Sequence, residues 1–96
     1  MILCFIPARK NSKGVKNKNL KKLNGKPLIH YTLDIAKRLK KNYFYPFVST
    51  DSKKILFEAK KFNITDNYLR PSKLALDSSN VVDAIIDALK YLENKK

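Results

Sequence analysis

A chain of 96 residues suffices for one small domain and is too short for two, because domains most often run to about 100–150 residues. Its lone cysteine excludes an internal disulfide and fits a reducing compartment. No run approaches the roughly eighteen apolar residues of a membrane span, so the expectation is a single cytoplasmic domain over residues 1–96 with no membrane partner.

The formal net charge of +13, from 21 basic against 8 acidic residues, leaves three explanations: a phosphate-rich ligand, a nucleic-acid partner, or a lysine-rich composition with no binding role. The lysines occur in pairs along much of the chain, as in Lys21-Lys22, Lys53-Lys54 and Lys60-Lys61, whereas nucleic-acid binding concentrates basic residues on one face. Arginine reads phosphates and base edges bidentately. Arg9 and Arg70 therefore carry more information than any lysine pair.

The apolar run Ile2-Leu3-Cys4-Phe5-Ile6 reads as a short strand buried on both faces of a parallel sheet. Cys4 inside it is a packing residue, lacking the accessible, electropositive setting of a reactive thiolate. A basic loop follows, with Arg9, Lys10, Lys13, Lys16 and Lys18 and no acidic residue. Gly14 lets its backbone turn, and turned N–H groups beside side-chain cations make an anion-binding concavity. The spacing is neither a Walker loop nor a G-x-G-x-x-G fingerprint.

Asn24-Gly25-Lys26-Pro27 is turn chemistry leading into a helix, with Pro27 acceptable in its first turn. Leu28, Tyr31, Thr32, Ile35, Ala36 and Leu39 recur there at helical spacing. His30 reads as a solvated helix residue. Phe44 to Thr50 is the second strand, centred on Phe47 and Val48, with pairing expected to begin at Phe47 because Pro46 lacks a ladder donor. Ser49-Thr50-Asp51-Ser52 ends that strand, either as helix caps or as ligand contacts at the carboxyl end of a sheet strand.

Ile55, Leu56, Ala59 and Phe62 give a helix from about Ser52 to Phe62, closed by Asn63 in the left-handed conformation. A weak third strand is expected around Thr65 to Leu69, ending at Arg70-Pro71. Val81, Val82, Ile85, Ile86, Ala88, Leu89 and Leu92 define a last helix from about Ser79 to Glu93, whose broad apolar arc calls for cover on more than one side. The alternation of strands and helices predicts a parallel sheet with helices on both faces.

Two stretches together resemble a known family. Ile6-Pro7-Ala8-Arg9, Ser12-Lys13-Gly14 and Lys18-Asn19-Leu20, followed by Gly25-Lys26-Pro27-Leu28, and later Leu69-Arg70-Pro71 running through Leu74-Ala75 to Asp77-Ser78-Ser79, are similar to the signatures of the acylneuraminate cytidylyltransferases, the CMP–sugar-acid synthetases. The resemblance implies a three-layer Rossmann-like fold of the nucleotide-diphospho-sugar transferase type, here truncated to the amino-terminal part of a larger domain. It implies transfer of CMP from CTP to a nine-carbon 2-keto sugar acid of the neuraminate, legionaminate or pseudaminate type, with release of pyrophosphate, for cell-surface polysaccharide synthesis.

By the same resemblance Arg9 and Lys18 act as catalytic cations. Ala8, Arg9, Ser12, Lys13, Gly14, Lys18, Asn19, Arg70, Asp77 and Ser79 bind the nucleotide, with Arg70 near the cytosine base. Arg70 could instead form a salt bridge to Asp66 or Asp77. The implied cofactor is Mg²⁺, whose ligands in the family lie in a second half that this chain does not contain. A chain of this extent is expected to be inactive alone, and to form a homo-oligomer or require its carboxyl-terminal half. Lys10, Asn11, Lys16 and Val81 depart from common family residues, Val81 replacing a hydroxyl that touches the nucleotide. Two other readings stand beside this one: a CMP-Kdo-type cytidylyltransferase, against which Ser12-Lys13-Gly14 and Lys18-Asn19 argue, and a small basic nucleic-acid-binding domain, which would need clustered aromatics and a basic helix face.

Overall fold

The computed structural model describes residues 2–12, 15–39, 43–64 and 66–95. Among these, β1 (Ile2–Pro7) and β6 (Phe44–Ser49) pair in parallel, Ile2 opposite Phe44 and Pro7 opposite Ser49. The helix α1 (Leu28–Leu39) lies between them in sequence, as a parallel pair requires a crossover. Two further helices, α2 (Lys53–Lys60) and α3 (Val81–Asn94), complete the α/β architecture.

The central strand pair separates two apolar clusters. On one side Ile6 and Val48 pack with Ile29, Leu33 and Ala36 of α1 and Ile55 and Ala59 of α2. On the other, Phe47 packs with Tyr68 and Ala88, flanked by Leu3, Phe5, Tyr45, Tyr91 and Leu92. Alternate residues of each strand serve opposite clusters, the period-two pattern of a sheet covered by helices on both faces. β1 is less buried than its apolar run suggests: only Ile6 is fully enclosed and Ile2 is 58% exposed.

The buried stripe of α1 differs from the expected one. Ile29, Leu33 and Ala36 are enclosed, whereas Tyr31 and Ile35 are exposed. Apolar residues stand side by side at Leu28-Ile29 and Ile35-Ala36, so helical spacing alone fits two phases one residue apart. Contact with Val48 and Ile55 selects the phase.

Pro46 also behaves differently from the expectation, because pairing runs through it, opposite Cys4. Ile2 N–H donates to Tyr43 O and Ala8 N–H to Ser49 O, which turns the odd-numbered residues of β6 toward β1. Pro46, out of phase, directs its missing donor to the other edge. The expected third strand runs past that other edge. Its described residues, from Asp66 to Leu69, form no ladder, and the main-chain bond found there comes at its end, where Arg70 N–H donates to Thr50 O at 2.7 Å.

Between β1 and α1 the chain makes two small hairpins where the sequence suggested a plain loop and a turn. The first, β2 (Asn11–Ser12) and β3 (Val15–Lys16), is antiparallel. It is polar and lacks apolar alternation, so nothing in its residues announces a strand. The second, β4 (Lys22–Leu23) and β5 (Lys26–Pro27), turns through Asn24 and Gly25, both at positive φ (53° and 77°). Asn-Gly is the pair a two-residue type I′ hairpin turn demands. Pro27 therefore ends a strand directly before α1 rather than opening the helix.

Candidate functional site

The site forms where β1 and β6 end, at the carboxyl edge of the parallel pair. β1 runs out into Ala8 and Arg9, and β6 into Thr50 and Asp51. Ser52 caps α2, its hydroxyl accepting from Ile55 N–H at 3.2 Å, so capping is the role of Ser52 in the Ser-Thr-Asp-Ser run. Asp51 plays a different part, accepting from Lys10 N–H at 2.7 Å and tying the basic loop to the end of β6. Asn17, at positive φ, closes the same loop by donating its N–H to Lys10 O.

Opposite this loop, the chain after Arg70 makes a 3-10 turn at Ser72–Leu74 and continues to the start of α3. The two segments enclose a cleft of about 370 Å³. Arg9, Lys18 and Asn19 line it from the first segment, and Arg70, Asp77 and Ser79 from the second, with Pro7, Leu74, Leu76 and Val81 as its apolar wall. Residues far apart in sequence thus share one cavity, and both arginines singled out in the sequence face it.

Arg9 donates to Asp77 Oδ1 at 3.0 Å and to Ala75 O at 3.3 Å. Asn19 Nδ2 donates to Arg9 O at 3.2 Å, bracing the same residue from the other side. Ser79 is a loop organiser: its hydroxyl donates to Lys73 O and accepts from Leu76 N–H. Lys18 lies in a 3-10 turn at the rim.

Arg70 makes neither of the salt bridges considered for it. Its Nε donates to Ser49 Oγ and its Nη2 to Ser49 O, both at 2.9 Å, and its Nη1 to Leu74 O at 3.3 Å. It is only 4% exposed, and burial pulls its pKa down, opposed by the negative charge of Asp51. Arginine nonetheless stays protonated. A buried guanidinium with neutral direct partners at a cleft wall leaves positive potential for an anion.

Of the other expected site residues, Ala8 does not line the cleft, since it is 1% exposed in the core and its N–H is taken by Ser49 O. Ser12 lies in β2. Lys13 and Gly14 lie outside the described residues. The sequence left Ser49 and Asp51 open between helix capping and ligand contact; the parallel register that brings the ends of β1 and β6 together makes Ser49 a partner of Ala8 and Arg70, and Asp51 a partner of Lys10.

Among the described residues no group of three or more His, Cys, Asp or Glu side chains gathers where a metal ion could sit. Among the same residues no helix is long and apolar enough to cross a membrane.

Residues 3–95 match the family model described as Cytidylyltransferase. The chain is 41% identical over 88 residues to the CMP-N,N'-diacetyllegionaminic acid synthase of Legionella pneumophila, covering 92% of this chain and 38% of that protein. It is 39% identical over 89 residues to an N-acylneuraminate cytidylyltransferase of Escherichia coli, covering 92% of this chain and 20% of that one. A pseudaminic acid cytidylyltransferase of Campylobacter jejuni is 33% identical over 94 residues, covering 97% and 40%. The chain therefore spans about two fifths or less of the length of these relatives.

Proposed function

Since the chain belongs to the cytidylyltransferase family, we propose that its cleft binds CTP for transfer of CMP to a nine-carbon 2-keto sugar acid of the legionaminate, pseudaminate or neuraminate type. The observation that carries this reading is the convergence of Arg9, Lys18, Asn19, Arg70 and Ser79 on one cavity at the carboxyl end of a parallel strand pair.

The triphosphate lies against the basic loop, with Arg9 and Lys18 as the cations that stabilise charge on the reacting phosphates. Charge-assisted hydrogen bonds of this kind contribute roughly 1.5–3 kcal/mol each. Asn19 and the loop of Asp77 and Ser79 frame the nucleoside, and Arg70 stands at the base. In the whole transfer the anomeric hydroxyl oxygen of the sugar acid attacks the α-phosphorus. The bond from that phosphorus to the bridging oxygen of the β-phosphate breaks, and pyrophosphate leaves. Positioning and charge neutralisation dominate such chemistry.

The Mg²⁺ that the family likeness implies finds no fitting ligand set among the described residues, so the neutralisation assigned to this chain comes from its own cations. We place the sugar-acid pocket outside this chain, which spans about two fifths or less of its relatives' length, and propose that the 96 residues bind nucleotide without completing turnover. The protein would then act in the cytoplasm, as an oligomer or with a carboxyl-terminal half supplied separately.

Calorimetric titration with CTP and ATP over a salt series tests the reading. CTP is expected to bind at one site and to outcompete ATP. Binding that ignores the base and falls steeply with log[salt] would instead mark a polyanion surface. Pyrophosphate release by the chain alone would overturn its proposed incompleteness.

A further inference from the structure

The outward face of α2 is built from residues that the cleft does not use. With about 3.6 residues per turn, the helix sends Ile55 and Ala59 into the core and leaves Lys53, Lys54, Phe57, Lys60 and Lys61 on the opposite face. Phe57 stands at the middle of that face, with Lys53 and Lys60 on one flank and Lys54 and Lys61 on the other. It is 62% exposed. The Lys61 ammonium lies 5.0 Å from its ring centroid.

A single exposed apolar side chain is ordinary. Phe57 differs because it is the ridge between two hollows. One, of about 380 Å³, is walled by Leu20, Pro27 and Phe57, and the other, of about 390 Å³, by Leu56, Leu69 and Phe57; Lys53 stands at both. Glu58 is the one carboxylate lining either hollow among the described residues, and His30 and Lys61 already engage its two oxygens. Lys53, Lys54 and Lys60 enter no ion pair among the described residues. Neither hollow shares a lining residue with the nucleotide cleft.

We propose that this face docks an acidic segment of a partner protein, whose carboxylates meet the lysines and whose apolar side chains enter the hollows on either side of Phe57. An aromatic centre with a polar rim is the anatomy of a protein interface, and charge complementarity selects the partner. A second copy of the chain carries the same net charge of +13 and is repelled. Single-stranded nucleic acid stacks successive bases on successive rings, whereas Phe57 is the one ring lining either hollow among the described residues. The proposal does not depend on the nucleotide reading of the cleft.

Fluorescence anisotropy tests it on the full chain with a labelled peptide of glutamates interrupted by two leucines. The peptide is expected to bind saturably, to bind more weakly as salt rises, and to stay bound when CTP is added. Phe57→Ser and Lys60→Glu are each expected to weaken it about tenfold or more. Thermal unfolding checks both variants, and if one fails to fold the other decides. Absence of peptide binding overturns the proposal, as does binding that ignores both substitutions or is displaced by CTP. Equal binding of an all-glutamate peptide, or tighter binding of oligothymidylate, would make the face a general polyanion surface and overturn it too. Self-association of the chain that Phe57→Ser abolishes would make a second copy the occupant, with the same result.

Discussion

The guanidinium of Arg9 meets the carboxylate of Asp77 at 3.0 Å, across 68 positions of sequence and the mouth of the cleft. Asp77 is well exposed, so the pair is of the kind that contributes at most about 1 kcal/mol. A phosphate arriving at Arg9 has to displace it.

Asp77→Asn is therefore expected to tighten CTP binding by up to about fivefold, the ratio that corresponds to the strength of such a pair. Calorimetric titration of the variant reads this directly. Weaker binding would show that the Asp77 carboxylate touches the nucleotide itself.

The phase of α1 gives a second prediction. Leu33 is fully buried and Ile35 is 56% exposed. Leu33→Ala should cost about 2–5 kcal/mol, a large share of the stability of a small domain. Ile35→Ala should stay within about 0.5 kcal/mol. Equal losses in urea unfolding would mean that the helix sits in its other phase.

Acid sensitivity follows from Glu58. Lys61 at 2.9 Å and His30 at 2.6 Å hold its carboxylate, and these bonds, Lys61 first, keep its pKa below the ordinary 4.5. A carboxyl whose folded pKa is depressed contributes stability that is fully present above its unfolded pKa and is lost as the pH falls through the folded value. Glu58→Gln should lower stability at neutral pH and flatten the loss below about pH 4.5. A stability curve whose acid limb is unchanged by the substitution would contradict this. His30, which read as a solvated helix residue, is thus a bridge from α1 to α2, edge-on to Phe62 with ring centroids 5.1 Å apart.

The cap of α2 provides the fourth. Ser52→Ala removes the acceptor for Ile55 N–H and should cost about 0.5–2 kcal/mol, a drop of several degrees in Tm for a domain of this size. Ser52→Asp should retain most of it. Equal Tm values for the serine and alanine proteins would remove the capping role.

What the sequence made legible were the elements with a strong apolar signal and a clear stop. The run Ile2 to Ile6, the pair Phe47-Val48, the Ser52 cap and the Asn63 closure all lie where their residue types place them. The face of α1 was not legible, because adjacent apolar residues satisfy two phases and only tertiary contact chooses between them. The hairpin at Asn11–Lys16 was hidden by its polarity, and the behaviour of Pro46 depends on which edge of β6 its nitrogen faces, a fact of register rather than composition. Arg9 and Arg70 stood out by type, but Ser49, which accepts from Ala8 and from Arg70, read equally as a helix cap or a ligand contact until the ends of β1 and β6 were set side by side.

The most direct measurement is a CTP titration of the chain beside its Arg9→Gln and Arg70→Gln variants, with ATP as the competing nucleotide. The account predicts one saturable site that prefers CTP, with each substitution weakening it at least tenfold. Indifference of CTP binding to both substitutions, or equal affinity for ATP, would contradict it.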